Sequence, residues 1–195
     1  RPTIVAAARL APVKRFPLLF EAALRARRRV PDLQLRIVGD GPERTRLDEL
    51  VAEHGAEEWV TLTGHIERER LRDEYSRAWV VASASLAEGW GLALTEAAAC
   101  GTPAVASDIR GHRSSVVDGV TGVLAPVEHL GDRLAEVLLE PQRRTAMARA
   151  AERRAQGLTW DASALGITRV LHEVVLDSSA GGRFRGSRRT PRRSR

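Results

Sequence analysis

The segment WVVASASLAEGWGLALTEAAACGTPAVA, residues 79–106, contains one complete unit of the predicted fold. Its first part, Trp79–Ser83, is a short apolar run that predicts a buried strand, and Leu92–Cys100 has the length and apolar content of a helix. A second short apolar run, Pro103–Ala106, predicts another strand. Two strands that are joined by a helical crossover lie parallel in one sheet, so the segment predicts a β-α-β unit.

The same alternation of strands and helices continues on both sides of this unit. Further strands are predicted at Thr3–Ala8, Leu33–Val38, Val60–Leu62 and Gly122–Leu124. Further helices are predicted at Phe16–Val30, Glu43–His54, Arg68–Arg77, Leu130–Leu139, Gln142–Arg154 and Ala162–Leu176. Alternation with short links predicts an α/β, Rossmann-like domain over residues 1–176, in which helices cover both faces of a parallel sheet.

The composition of the 195 residues agrees with one such domain and a tail. The hydrophobic fraction of 43% is sufficient for a packed core, and no apolar run approaches the ~18 residues of a membrane span. Cys100 is the single cysteine, which excludes a disulfide framework and a cysteine zinc site. We therefore expect a cytoplasmic protein.

The net charge of +6 is concentrated at the C-terminus. Residues 177–195 contain seven of the 31 basic residues and one of the 25 acidic residues, so the remainder of the chain is neutral. This segment consists largely of Ser, Gly and Arg and has little apolar surface to bury, which predicts a basic disordered tail. A neutral body argues against nucleic-acid binding by the folded domain.

Glycines and polar residues follow five of the predicted strands. They are Arg9 after the first strand, then Gly39–Pro42, Gly64–His65, Glu88–Gly91 and Ser107–Asp108. Ligands of open α/β sheets bind outside the carboxyl ends of the strands. We therefore expect these loops to form a single crevice.

The order and spacing of these motifs resemble glycosyltransferase family 4. The resemblance covers Pro2 to about Trp160 and rests on Arg9-Leu10 with Lys14, Val38–Pro42, Glu88–Leu92 with Glu96-Ala97, Gly101–Pro103 and Asp118–Gly122. It implies the C-terminal, donor-binding half of a GT-B fold in a retaining, metal-independent hexosyltransferase. The acceptor is then held by an N-terminal domain that this chain lacks, so the chain alone is expected to be inactive.

Two loops depart from the family pattern. Ala84-Ser85 stands where the family has Pro-Ser, and Arg110–Ser114 replaces a Gly-Gly-x-Pro-Glu loop.

Arg9 and Lys14 are the cations that the resemblance places on the diphosphate of the donor. A nucleoside diphosphate carries roughly two negative charges, and fixed cations stabilise the further charge that develops as the sugar bond breaks. Each charge-assisted hydrogen bond contributes about 1.5–3 kcal/mol. Lys14 is also the one lysine of the chain. We therefore expect both residues to be catalytic.

Glu88 and Glu96 have seven residues between them, which matches a family motif of two glutamates. A carboxylate can accept hydrogen bonds from two neighbouring hydroxyl groups. The resemblance implies that Glu88 is catalytic and faces the donor sugar, and that Glu96 binds the ribose.

The residues between the two glutamates are expected to bind the donor through their main chain. Gly89 and Gly91 allow close approach of the backbone to a ligand, and Leu92 and Ala93 would open a helix with free amides. Trp90 belongs to the same loop.

Two further loops are expected to border the nucleotide. The resemblance places the main chain of Gly64, His65 and Ile66 at the nucleobase. Gly39-Asp40-Gly41 lacks the third glycine of a dinucleotide fingerprint because Arg44 occupies that position, so a tight turn with Pro42 at the first helical position is expected.

No cofactor or metal is expected. The five histidines have no metal-ligand spacing, and the chain has no Asp-x-Asp motif to hold a metal–diphosphate complex. The partners that the resemblance implies are a nucleotide-diphosphate sugar and the N-terminal acceptor domain. It also allows peripheral association of the intact enzyme with the inner face of the membrane.

Two other functions remain open from the sequence. The chain could be a nucleotide-binding module without catalysis, which activity with a supplied N-terminal domain would distinguish. It could also bind nucleic acid through its arginine-rich tail, in which case binding would collapse with salt and disappear without residues 177–195.

Overall fold

The computed structural model describes residues 1–179. Its strands are β1 (Thr3–Ala7), β2 (Gln34–Val38), β3 (Val60–Gly64), β4 (Val80–Ser83), β5 (Ala104–Ser107) and β6 (Gly122–Ala125). Its α-helices are α1 (Phe16–Arg27), α2 (Arg44–Glu53), α3 (Arg68–Arg77), α4 (Leu92–Ala99), α5 (Arg110–Ser115), α6 (Leu130–Leu139), α7 (Pro141–Gln156) and α8 (Trp160–Ser179). Short 3₁₀ turns lie at Pro12–Lys14 and Val127–His129.

The strands form one sheet in the order β3-β2-β1-β4-β5-β6, and every neighbouring pair is parallel. The chain moves outward from β1 in one direction to β3, then returns and continues from β4 in the other direction. The point where this order reverses lies between β1 and β4, and ligands of such sheets bind there. The predicted α/β, Rossmann-like fold is confirmed.

Both faces of the sheet are buried, because side chains of a strand alternate between its faces. Ile4 and Ala6 of β1 pack in a large apolar cluster with Phe20, to which α1, α2 and α6 contribute. Val5 packs in a second cluster with Tyr75, to which α3 and α4 contribute. The near-continuous apolar character of the strands follows from this double burial.

Two local details differ from the sequence interpretation. Helix α5 was not predicted, because its six residues are mostly polar and too few to show an apolar period. Pro42 is not the first helical residue, since α2 begins at Arg44 and Pro42 lies in the preceding turn.

Among the described residues, those at 157–179 form a separate compact unit. Its helix α8 carries exposed apolar side chains, among them Trp160, Leu165, Ile167 and Leu171. The helix continues to Ser179, and the remainder of the predicted tail lies outside the described residues. None of the helices within residues 1–179 combines the length and hydropathy that crossing a membrane requires.

Candidate functional site

A crevice of about 960 Å³ opens at the carboxyl ends of β1 and β4, where the strand order reverses. Its volume is within the range of ~300–1,000 Å³ that is usual for small-molecule sites. Four of the five loops singled out in the sequence line it. The fifth does not, because Ser107 is buried behind the crevice and its hydroxyl donates to the carbonyl of Ser85 over 2.6 Å.

Gly39 allows the loops after β1 and β2 to pack against each other. Its φ is 127°, and a Cβ there would lie 2.0 Å from the carbonyl oxygen of Ala8. Ala8 and Gly39 both line the crevice. The wall of the site therefore depends on a contact that an added methyl group would break.

Lys14 and Glu88 form an ion pair in the crevice, although 74 positions separate them in the chain. The distance from Lys14 Nζ to Glu88 Oε1 is 2.5 Å. Ser85 Oγ donates to the same carboxylate oxygen over 2.8 Å, and Ser83 Oγ donates to Ser85 Oγ over 3.1 Å. The loops after β1 and β4 thus meet through charged and polar side chains.

Burial raises the pKa of Glu88, but the hydrogen bonds from Lys14 and Ser85, together with nearby positive charge, outweigh it. The pKa of Glu88 therefore lies below its ordinary value of 4.5. Glu88 is a charged acceptor at neutral pH.

This lowered pKa gives a testable pH dependence. A carboxyl group whose pKa is lower in the folded than in the unfolded state stabilises the fold at neutral pH. The stabilisation by Glu88 is therefore lost as the pH falls below 4.5 and through its folded-state pKa. We expect the ¹³C carboxyl titration of Glu88 to have its midpoint below 4.5, and Lys14→Met to raise that midpoint. Arg133→Ala, which removes the exposed pair with Glu136, is the control. An unchanged titration midpoint of Glu88 in the Lys14→Met variant would contradict the pairing of Lys14 with Glu88.

Gly111 and His112 of α5 pack beneath the loop that carries Glu88. A Cβ at Gly111 would lie 2.3 Å from the carbonyl oxygen of Glu88, and a Cβ at Gly91 would lie 3.1 Å from His112 Cδ2. His112 is fully buried, and its Nδ1 donates to the carbonyl of Ser107 over 2.8 Å. Burial lowers the pKa of His112, so its imidazole is neutral.

The start of α4 faces the crevice. Gly91 is the residue before the helix and has a φ of 94°, which favours glycine. Leu92 and Ala93 line the crevice, and the first amides of a helix have no partner within the helix. Gly89 and the exposed Trp90 line it as well.

Glu96 lies in α4 and lines the same crevice. The hydroxyl of Tyr75 donates to Glu96 Oε2 over 3.4 Å. Tyr75 is almost completely buried, and burial followed by the charge of Glu96 raises the pKa of its hydroxyl. At neutral pH the hydroxyl is therefore protonated and donates to this carboxylate.

The remaining sequence candidates border the same space. Arg9 is exposed and lines the crevice, as do His65 and Ile66. Gly64 is not among the lining residues, and its carbonyl accepts the amide of Gly39 over 2.9 Å. Within residues 1–179 no group of three or more His, Cys, Asp or Glu could hold a metal ion.

Sequence reasoning did not assign site roles to Arg15, Tyr75, Ser85 and His112. Ser85 and His112 lie in the two loops that depart from the family pattern, which was a usable signal. Tyr75 reads as an ordinary core residue, and Arg15 is one of 30 arginines.

Comparison with known proteins identifies the family of this chain. Residues 1–154 match the family model described as glycosyl transferases group 1. The chain is 37% identical over 168 residues to a D-inositol 3-phosphate glycosyltransferase from Kribbella flavida, covering 80% of this chain and 40% of that protein. It is 36% identical over 157 residues to a GDP-mannose-dependent alpha-(1-6)-phosphatidylinositol monomannoside mannosyltransferase from Mycolicibacterium smegmatis, covering 75% and 41% of the two chains.

Among solved structures, the chain is similar to the pneumococcal O-GlcNAc transferase GtfA in complex with UDP and GlcNAc. The TM-score is 0.78 at 29% identity, over 89% of this chain and 36% of that one. The chain thus spans less than half the length of these relatives. The family model matches most of the length of this chain, and the chain shares its fold with GT-B enzymes. This chain therefore belongs to the group 1 glycosyl transferases.

Proposed function

We propose that this chain is the donor-binding domain of a retaining glycosyltransferase, which transfers a hexosyl group from a nucleoside-diphosphate sugar to an acceptor held by a second domain. The observation that carries the proposal is the convergence of the Lys14–Glu88 pair and the start of α4 on one crevice. Relatives named for GDP-mannose or solved with UDP support a nucleotide-sugar donor.

Lys14 and Arg9 are the proposed binders of the diphosphate. Both line the crevice near the end of β1, and the amides of Leu92 and Ala93 add donors at the positive end of the α4 dipole. Fixed donors and charges of this kind stabilise a leaving diphosphate without a cofactor, because they require no reorganisation during the reaction.

Glu88 is the proposed contact to the donor sugar. Both of its observed hydrogen bonds use Oε1, so Oε2 is available to a sugar hydroxyl. Lys14 and Ser85 keep the carboxylate charged and fix its direction. A preorganised acceptor of this kind holds the reacting carbon in place at little entropic cost.

Glu96 is the proposed contact to the ribose, and Glu96→Gln is expected to weaken UDP and GDP binding more than inorganic pyrophosphate binding. The carboxylate can accept from both ribose hydroxyls, whereas the amide nitrogen of glutamine cannot accept. Calorimetric titrations of the three ligands check this. Thr95→Ala, on the neighbouring position of α4, is the control, and equal losses for all three ligands would contradict the assignment.

The purified chain is expected to bind a donor without transferring its sugar. Transfer requires donor and acceptor to be held in contact with water excluded, and in the proposed arrangement the second domain provides the acceptor side. The test measures both binding and transfer for UDP-glucose and GDP-mannose with D-inositol 3-phosphate as acceptor. Robust transfer by the chain alone that disappears in Glu88→Gln would overturn the two-domain proposal.

A further inference from the structure

Arg15 has an unfavourable backbone conformation beside the site. Its φ of 51° and ψ of 43° place it in the left-handed region, and it is the one non-glycine residue with a positive φ among residues 1–179. It ends the turn that carries Lys14 and immediately precedes α1. Glycine adopts this conformation more easily, since it has no Cβ to collide with the following carbonyl.

The side chain of Arg15 makes two hydrogen bonds that a glycine at this position could not make. Its Nε donates to the carbonyl of Ala84 over 2.9 Å, and its Nη2 donates to the carbonyl of Ser85 over 3.2 Å. The amide of Leu86 donates in the opposite direction, to the carbonyl of Val13, over 2.8 Å. Three hydrogen bonds therefore connect segment 13–15 with segment 84–86.

These two segments carry the charged pair of the crevice. Lys14 immediately precedes Arg15 in the chain, and Glu88 follows Ser85 by three residues. The segments extend from β1 and β4, the strands on either side of the point where the strand order reverses. The planar guanidinium has fixed donor directions, so its two hydrogen bonds restrict the separation of the two segments.

We propose that Arg15 is a positioning residue, whose side chain fastens the loop after β4 to the turn after β1 and so sets the separation of Lys14 and Glu88. It does not itself belong to the lining of the crevice. The expected effect of Arg15 on ligand binding rests on the proposed function, whereas its expected effect on the order of the loop after β4 does not. The two are therefore measured separately.

The experiment compares Arg15→Ala and Arg15→Gly with the wild-type chain. Arg144→Ala is the control, because Arg144 also donates to two main-chain carbonyls, those of Val137 and Leu138, away from the crevice. Amide hydrogen exchange of segment 84–88 is measured without ligand, and affinities are measured for inorganic pyrophosphate, UDP and GDP. Melting temperatures are recorded for all variants.

Both Arg15 variants are expected to exchange faster over segment 84–88 and to bind UDP and GDP about tenfold more weakly, since two hydrogen bonds to the loop are lost. Arg15→Gly should melt at a higher temperature than Arg15→Ala, because glycine relieves the left-handed backbone. The affinity of Arg15→Gly for UDP and GDP should nevertheless be as low as that of Arg15→Ala. Arg144→Ala should lower the melting temperature and leave exchange of segment 84–88 and ligand affinity unchanged.

Unchanged exchange over segment 84–88 in both Arg15 variants would overturn the positioning role. Wild-type affinity in Arg15→Gly would overturn it as well, since the residue would then serve only the local backbone. A wild-type chain that binds none of the three ligands would reject the proposed function, while the exchange data would still decide the positioning role.

Discussion

Replacing Lys14 with alanine is expected to weaken UDP and GDP binding at least tenfold, which corresponds to about 1.4 kcal/mol. The variant loses a cation from the crevice and also leaves the Glu88 charge uncompensated beside the bound diphosphate. The second effect adds repulsion to the loss of attraction. The free energy of unfolding should fall only slightly at neutral pH, because the ion pair is partly exposed to solvent and Ser85 still donates to the Glu88 carboxylate. Isothermal titration calorimetry and thermal unfolding measure the two quantities.

A double variant separates the two effects of this substitution. Lys14→Ala combined with Glu88→Gln should recover part of the lost diphosphate affinity, since the repelling charge is removed. Arg133→Ala, which breaks an exposed ion pair with Glu136, should leave the affinity unchanged. Unaltered diphosphate affinity in a folded Lys14→Ala variant would reject the role of Lys14.

Gly39→Ala is expected to lower the free energy of unfolding by about 3 kcal/mol, since it adds backbone strain and overpacking at one position. The φ of 127° is unfavourable for alanine, and the new Cβ would lie 2.0 Å from the carbonyl oxygen of Ala8. For a chain of this size the melting temperature should fall by roughly 6–12 °C. Denaturant unfolding and calorimetric melting check this result.

Gly55→Ala is the matched control for the clash at Gly39. Gly55 also has a positive φ, 56°, but no atom lies within 4 Å of its ideal Cβ position. Its substitution should therefore cost only the backbone strain, about 1 kcal/mol. Equal destabilisation by the two substitutions would show that the loops after β1 and β2 can separate without cost.

The fold was predictable from the sequence because its strands are buried on both faces. Runs such as Thr3–Ala7 and Val80–Ser83 are therefore apolar except at one end and stand out between helical segments. Helix α5 escaped detection for the opposite reason, since Arg110–Ser115 buries little apolar surface. Its position depends on tertiary contacts, such as the one between Gly111 and the carbonyl of Glu88.

The candidate site was predictable in its residues and less so in its contacts. Lys14 and Glu88 stand at recognisable spacings, and the parallel sheet brings the loops that carry them to one edge. Their direct pairing depends on side-chain direction, which no spacing reveals. The hydrogen bonds that Arg15 and Tyr75 donate near the site also depend on side-chain direction.

The most direct test of the account is an amide chemical-shift titration of the ¹⁵N-labelled chain with UDP and with GDP. Saturable shifts are expected in the loops after β1 and β4 and at the start of α4, with Lys14, Glu88 and Leu92 among the most affected residues. Lys14→Ala should move the titration to higher ligand concentrations, and Arg133→Ala should not. The absence of saturable shifts with either nucleotide, or shifts centred away from the crevice, would contradict the assignment of this site to a nucleotide-sugar donor.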